Sequence, residues 1–444
     1  MAWLAWLLCS LAQGQLALAT STPDVPFGKA LRDKFFQFKP GFLNFNHGGF
    51  GATPLPVRRA MDHFTDQQEA QPTAWFGGGY KKVLQDVRPR LAEMMNANIS
   101  DLVFLDDASA GLNAVLRSLP WQPGDLLLLT TAAYAVLPNT GRWLQQRYGI
   151  RTVRVNVSFP ASGPNAFVEP LARTLRDLGE QTAQLRLAVF DHVSSYPPAI
   201  LPVAPLAKMV KAAAPRAAVL LDGAHALGQV PVDMAQLAAA GVDAYVTDGH
   251  KWLMAPKGSG ALWASKFLQD VLEPAIISSD NGPDTSFQDR FDYIGTRDYT
   301  PWCAMGAALD FQQALGGEAL VQSYMMELSR RAGRMMAHSF DTETVVSEDM
   351  TPAMFAVRLP LPKTWDSQKQ QACTGHIAAG LIQDSMQIIP FTLRTEDSQE
   401  THWIRVSAQV YLELDDFKRL AAAVLRLRAS CDIEVAGAAL EIAV

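Results

Sequence analysis

Cysteine is scarce in this chain of 444 residues. Cys9, Cys303, Cys373 and Cys431 are scattered, and no two form a C-x-x-C pair. That spacing reads as neither a disulfide framework nor a zinc site, and no metal is expected. Charge of one sign is missing too: 38 Lys and Arg face 44 Asp and Glu, a net charge of −6 without long blocks. No basic face is available for nucleic acid. Long hydrophobic runs are also absent, since the apolar stretch at residues 1–12 is too short to span a bilayer. No G-x-G-x-x-G follows the first expected strand, which removes a dinucleotide-binding Rossmann protein. What remains, 49% hydrophobic and 18% charged, is a globular composition with room for a large domain and a smaller one.

The first residues differ from the rest. After the apolar run, Ala17-Leu18-Ala19 has the small-x-small spacing of a signal-peptidase site. The expectation is a signal peptide at 1–19, a secretory or extracellular protein, and no membrane attachment after leader removal. No basic residue precedes Lys29, which leaves a cytoplasmic protein as the alternative. The sequons at Asn98 and Asn156 fit secretion.

Residues 20–60 read as an N-terminal arm and substrate-side loop. They contain "FLNFNHGGFGATP" (42–54), whose glycines allow close backbone approach. From "LVFL" (102–105) onward, short apolar runs alternate with helical patterns for about 160 residues. This predicts an α/β fold whose central sheet is mostly parallel, in a large domain at 61–315. Ligands of such sheets collect at the carboxyl ends of the strands. Asp107, His192, Asp222, His250 and Lys251 all fall at those ends. From 316 to 435 the pattern changes to a small α+β domain closing with a helix.

A lysine used as a covalent amine catalyst needs a pocket and a carbonyl partner. If that partner is pyridoxal phosphate, the protein also supplies an acid for the pyridine nitrogen and donors for the phosphate. Lys251 follows an apolar strand. Asp222 ends another strand 29 residues earlier, one strand–helix–strand unit away. "DDASAGLN" (106–113) offers a helix start with small residues, a ready anion site.

The sequence "DGAHALGQVPVD…VDAYVTDGHKWLMAPKGSGALW" resembles the signature of class V aminotransferase-fold enzymes, which depend on pyridoxal phosphate and have fold type I. "FLNFNHGGFGATP" and "FDYIGTRDYTPWCAMGAALDF" are similar to the isopenicillin N epimerase-like branch. That branch is related to cysteine desulfhydrases and to C–S lyases of the ergothioneine pathway. The resemblance implies Lys251 as the Schiff-base lysine, with His250 before it near the phosphate. It implies Asp222 as the pyridine partner, and His225 on the ring's 3-oxygen. Ala108, Ser109 and Thr247 would serve the phosphate, although the alignment lets Asp248 intervene at that last position. Gly295-Thr296-Arg297 match a loop that reaches the neighbouring subunit's phosphate, which implies a homodimer with a shared active site. Arg405 matches the arginine that grips the substrate carboxylate, with Asn46 and His47 as further substrate-side candidates. Two departures stand out. Tyr134 is the sole aromatic in the loop that usually stacks on the ring, and becomes a candidate proton donor. Asp107 places a carboxylate beside an anion site.

Family members act on amino acids, with the released lysine as the natural base. Elimination, epimerisation and transamination share that first step. Residues 385–405 hold no cysteine, so a persulfide relay through a loop thiol is not expected. The leading expectation is a C–S β-lyase acting on a cysteine-type substrate, with an epimerase or an aminotransferase as alternatives. A fold member that binds the cofactor without turnover is the weakest reading.

Overall fold

The computed structural model describes residues 25–394 and 399–441. The expected signal peptide lies outside them. Among the described residues no helix is long and apolar enough to cross a membrane.

Seven strands form the central sheet: β1 (Leu102–Leu105), β2 (Leu126–Thr130), β3 (Arg151–Val155), β4 (Leu185–Asp191), β5 (Ala218–Asp222), β6 (Ala244–Asp248) and β7 (Gly260–Ala264). Their order is β1-β7-β6-β5-β4-β2-β3. All pairings are parallel except those of β7, which runs antiparallel to β1 and β6. Every residue of β1, β2, β5 and β6 is buried. Helices cover both faces, so these strands read as continuous apolar runs rather than alternating ones. Each fully buried Leu, such as Leu128 or Leu220, contributes about 1.5–3 kcal/mol relative to exposure. The fold is therefore the expected mixed α/β architecture. β7 was not anticipated, because "GALWA" reads as the tail of the Gly-rich turn before it.

Among the helices that connect these strands, α1 (Ala108–Ser118) follows β1, α2 (Val136–Tyr148) follows β2, and α3 (Val203–Ala213) connects β4 to β5. A second sheet contains β8 (Met354–Arg358), β9 (Ile389–Arg394) and β10 (Glu400–Ser407), in the order β8-β10-β9 and fully antiparallel. α4 (Ser367–Gln383) and α5 (Leu414–Glu441) pack together beside it.

The N-terminal arm is woven into this second layer. Leu43 and Asn44 pair in parallel with Met386 and Gln387, and the Ser407 amide donates to the Phe45 carbonyl at 2.7 Å. That stitching brings Asn46 up to Arg405.

Cys373 on α4 and Cys431 on α5 form a disulfide, with Cα atoms 5.8 Å apart. This corrects the reading of the cysteines as unpaired. They lie 58 residues apart, and only the packing of the two helices brings them together. In the chain-entropy picture, closing a loop of that length stabilises the fold by about 4 kcal/mol. Cys303 is free and buried.

Candidate active site

The carboxyl ends of β4, β5 and β6 and the start of α1 open onto one cavity of about 300 Å³, closed from the other side by the arm and β10. Asn46, Ala108, Ser109, Tyr134, Asp222, His225, His250, Lys251 and Arg405 all line it.

Lys251 follows β6 with its Nζ 2.9 Å from Asp248 Oδ2. Its backbone is held from behind. His47 Nε2 donates to the Lys251 carbonyl at 2.9 Å, which leaves Nδ1 to accept from the Tyr411 hydroxyl at 3.0 Å. Burial lowers the His47 pKa to about 3, so this neutral tautomer persists across the ordinary pH range. His47 does not line the cavity. The substrate-side role implied for it gives way to positioning the Lys251 backbone. The glycine-rich arm has a related purpose. Gly51 has φ 68°, and a Cβ there would sit 1.8 Å from the His250 carbonyl oxygen. The close approach is to the lysine segment as well as to the cavity.

Asp222 is buried at the end of β5, where Oδ1 accepts the Ala224 amide at 3.0 Å. Burial raises its pKa to about 6, with the Ala224 amide and Lys251 pulling the other way. It is therefore ionised at neutral pH. His225 is held by Trp252, whose indole N–H donates to Nδ1 at 3.3 Å. With Nδ1 accepting, the ring proton sits on Nε2. Burial keeps the imidazole neutral, its pKa well below the usual value.

Arg405 is 1% exposed and has no acid partner among the described residues. Its guanidinium donates to Ser195 Oγ and to Asn46 Oδ1, each at 2.8 Å, and stacks on Tyr196 at 4.4 Å. A buried cation held by neutral groups is a receptor for an anion.

The start of α1 departs from a simple anion site. Asp107 caps the helix by accepting the Ala110 amide at 2.8 Å, and Asp248 accepts the Ala108 amide at 2.7 Å. Two carboxylates thus occupy donors that a phosphate would use. Thr247 is a correction: its hydroxyl donates to the Gly223 carbonyl at 2.8 Å inside the sheet, and it does not line the cavity. Adjacent strand residues face opposite sides, so Asp248 points to the ligand side and Thr247 away. Thr296 is likewise outside the cavity. It is exposed and hydrogen-bonds Tyr293, while the neighbouring Arg297 pairs with Asp106. His192 does not line the cavity either, and its Nδ1 lies 2.8 Å from the buried Tyr245 hydroxyl.

Asp191 was missed by sequence reasoning. It ends β4, directly across the parallel ladder from Asp222, and lines the same cavity. Its place at the end of an apolar strand, just before His192, was the available signal.

An amine, a strand-end carboxylate and a buried arginine meet at the carboxyl edge of a parallel sheet. This arrangement defines the fold type I class of pyridoxal-phosphate enzymes. The chain belongs to the aminotransferase class-V family, whose profile matches residues 48–420. It is 25% identical to an L-cysteine desulfhydrase-like protein of Epichloe uncinata, over 90% of this chain and 94% of that protein. It is 29% identical to the isopenicillin N epimerase of Amycolatopsis lactamdurans, over 87% and 96%. A solved complex of the cystine C–S lyase C-DES with cysteine persulfide shares the fold. Its TM-score is 0.70 at 20% identity, covering 88% of this chain and 98% of that one.

The residues fit pyridoxal phosphate at its reactive end. Lys251 lines the cavity where it would meet the aldehyde, and buried Asp222 lines it where it would face the ring nitrogen. For the phosphate, Ser109 would remain, beside the two carboxylates that hold amides at the start of α1.

Proposed function

We propose that this enzyme is a C–S β-lyase acting on an S-substituted cysteine. The observation that carries the reading is the cavity itself: an amine on Lys251 and an unpaired buried guanidinium on Arg405 face one space. Pyridoxal phosphate, when bound, supplies the aldehyde that captures the substrate amine and the ring that withdraws electrons from Cα. Arg405 holds the α-carboxylate, and Asn46 and Ser195 fix the guanidinium that does so. Lys251 takes the α-proton once its amine is free. Loss of that proton drives out the β-sulfur, and Tyr134, at the cavity wall, is placed to protonate the departing group. Ala108, Ser109 and His250 serve the phosphate.

Sulfur leaves directly in this reading. Among the described cysteines, two are joined in a disulfide and the third is buried away from the cavity, so no thiol is offered for a relay. A second cavity of about 710 Å³ shares Asn46 and Phe50 with the first, and Phe36, Phe38 and Phe42 contribute to its walls. That space favours a bulky, partly apolar S-substituent over free cysteine.

The apolar run at residues 1–12, the small-x-small spacing of Ala17-Leu18-Ala19 and the Cys373–Cys431 disulfide support passage through an oxidising, secretory compartment. A homodimer in which Thr296 reaches the partner's cofactor accords with its exposure and with its place outside this cavity. A boundary near residue 316 divides the chain into a large cofactor-binding domain and a small one.

Removing the charge of Arg405 separates binding from chemistry. Arg405→Gln is expected to raise KM roughly 10- to 100-fold, the worth of a hydrogen-bonded charge pair, with a smaller change in kcat. Steady-state kinetics on one substrate reads this; an unchanged KM would mean that the carboxylate binds elsewhere.

Incubation with a panel of S-substituted cysteines in heavy water tests the reaction. The lyase gives pyruvate and ammonia in equal amounts with no keto-acid added. Relatedness to isopenicillin N epimerase makes epimerisation the second reading, which deuterates Cα without pyruvate. Activity that depends on a keto-acid acceptor identifies a transaminase.

A further inference from the structure

Asp191 and Asp222 are paired residues on adjacent parallel strands, β4 and β5. Paired positions point to the same face, with backbones about 4.8 Å apart. Both side chains line the catalytic cavity, and each is only 3% exposed. Asp222 has the Ala224 amide as a partner, whereas Asp191 Oδ2 is buried with no hydrogen-bond partner. Two buried carboxylates on paired positions repel each other, and burial further disfavours the state in which both are charged.

Their surroundings decide which one keeps the proton. Asp222 is eased toward ionisation by the Ala224 amide and by Lys251, with Asp248 opposing. Asp191 faces Asp222, and its own backbone amide and that of Tyr134 offer it partial relief. Its pKa is driven well above the carboxylate range by burial first and by Asp222 second. Of the other titratable groups nearby, Arg405 lines the same cavity as a cation, burial holds His192 near 4 and keeps His225 well below its usual value, and the Tyr245 phenol, which His192 touches, is pushed well above its own.

The geometry points to Asp191 as a positioning residue for the cofactor: a protonated carboxylic acid that donates to Asp222 and keeps Asp222 the anion which the pyridine N–H requires. Environments that push two adjacent acids apart assign one as donor and the other as base. The inference rests on the cofactor assignment and is independent of the reaction catalysed.

The test uses the holoenzyme. Wild type, Asp191→Asn and Asp191→Ala are dialysed at graded pH, and retained cofactor is read from its visible absorbance. The titrations of the cofactor itself are common to all three proteins, so the differences report on the acid pair. Asparagine mimics a protonated aspartate and keeps a donor; alanine removes it. Asp191→Ala is expected to raise the pH midpoint of retention by about one unit, roughly tenfold weaker binding near the wild-type midpoint. Asp191→Asn is expected to stay at the wild-type midpoint. The proposal is overturned if Asn behaves like Ala or if Ala leaves the midpoint where it was. A downward move in either variant overturns it too, because it would mean that Asp191 is charged. Absence of a visible band in the wild-type protein defeats the cofactor reading itself, and this inference with it.

Discussion

Lys251→Ala is expected to lose the visible absorbance of bound cofactor and to slow turnover by about 10³-fold or more. Two functions go at once, the covalent anchor and the base that takes the α-proton. The fold should survive. Lys251 is held through its backbone carbonyl by His47, and the substitution leaves that bond intact. Reduction with borohydride followed by peptide mapping is the direct check. Wild-type protein should carry the label on the peptide containing Lys251, and the variant should carry none. A covalently reducible cofactor in the variant would remove Lys251 from the anchoring role.

Replacing Asp222 by alanine isolates the electron sink. The amine still reaches the aldehyde, so a visible band should form. The ring nitrogen, however, loses the buried anion that holds its proton. Loss of one such preorganised charge costs about 10²–10³-fold in the step it serves. That step is α-proton removal, read by washing deuterium from solvent into the substrate. Exchange at the wild-type rate in Asp222→Ala would show that the carboxylate serves another purpose. The wild-type protein carries a pH signature of the same residue. Asp222 has its pKa raised to about 6, so its charge is present above that value and is lost below it. Cofactor retention and proton exchange should both weaken as pH falls through about 6. In Asp222→Ala that part of the pH dependence should disappear.

The phosphate end gives the site its individuality. Asp248 bridges Lys251 Nζ and the first amide of α1, at 2.9 and 2.7 Å. A phosphate bound at the start of α1 would compete with that carboxylate for the amide, so the lysine segment and the loop before α1 are linked through one side chain. No single motif expresses this. Asp107, the departure noted in the sequence, is turned to capping its own helix.

Much of the architecture follows from the sequence alone. Strands such as "LLLLT" and "AVLLD" are apolar throughout, and both faces of a parallel sheet must be covered. The alternation of such runs with helical segments therefore admits few arrangements. That Lys251, Asp222 and Ser109 meet at one cavity is legible for the same reason: ligand space in such sheets lies where strands end and helices begin. The antiparallel β7 was hidden because a five-residue run after a glycine turn carries no sign of its direction.

Tertiary structure decided what depends on contacts between distant segments. Thr247 and Asp248 are neighbours in sequence, and only the pleat of β6 shows that the carboxylate faces the cavity while the hydroxyl faces the sheet. His47 meets Lys251 across 204 residues, Arg405 meets Asn46 across 359, and Cys373 meets Cys431 across 58. The charge of an acid is decided in the same way. Asp191 and Asp222 lie in separate apolar runs, each an ordinary strand-end aspartate when read alone. Adjacent strands bring them together in one cavity, where burial and mutual repulsion disfavour a second negative charge.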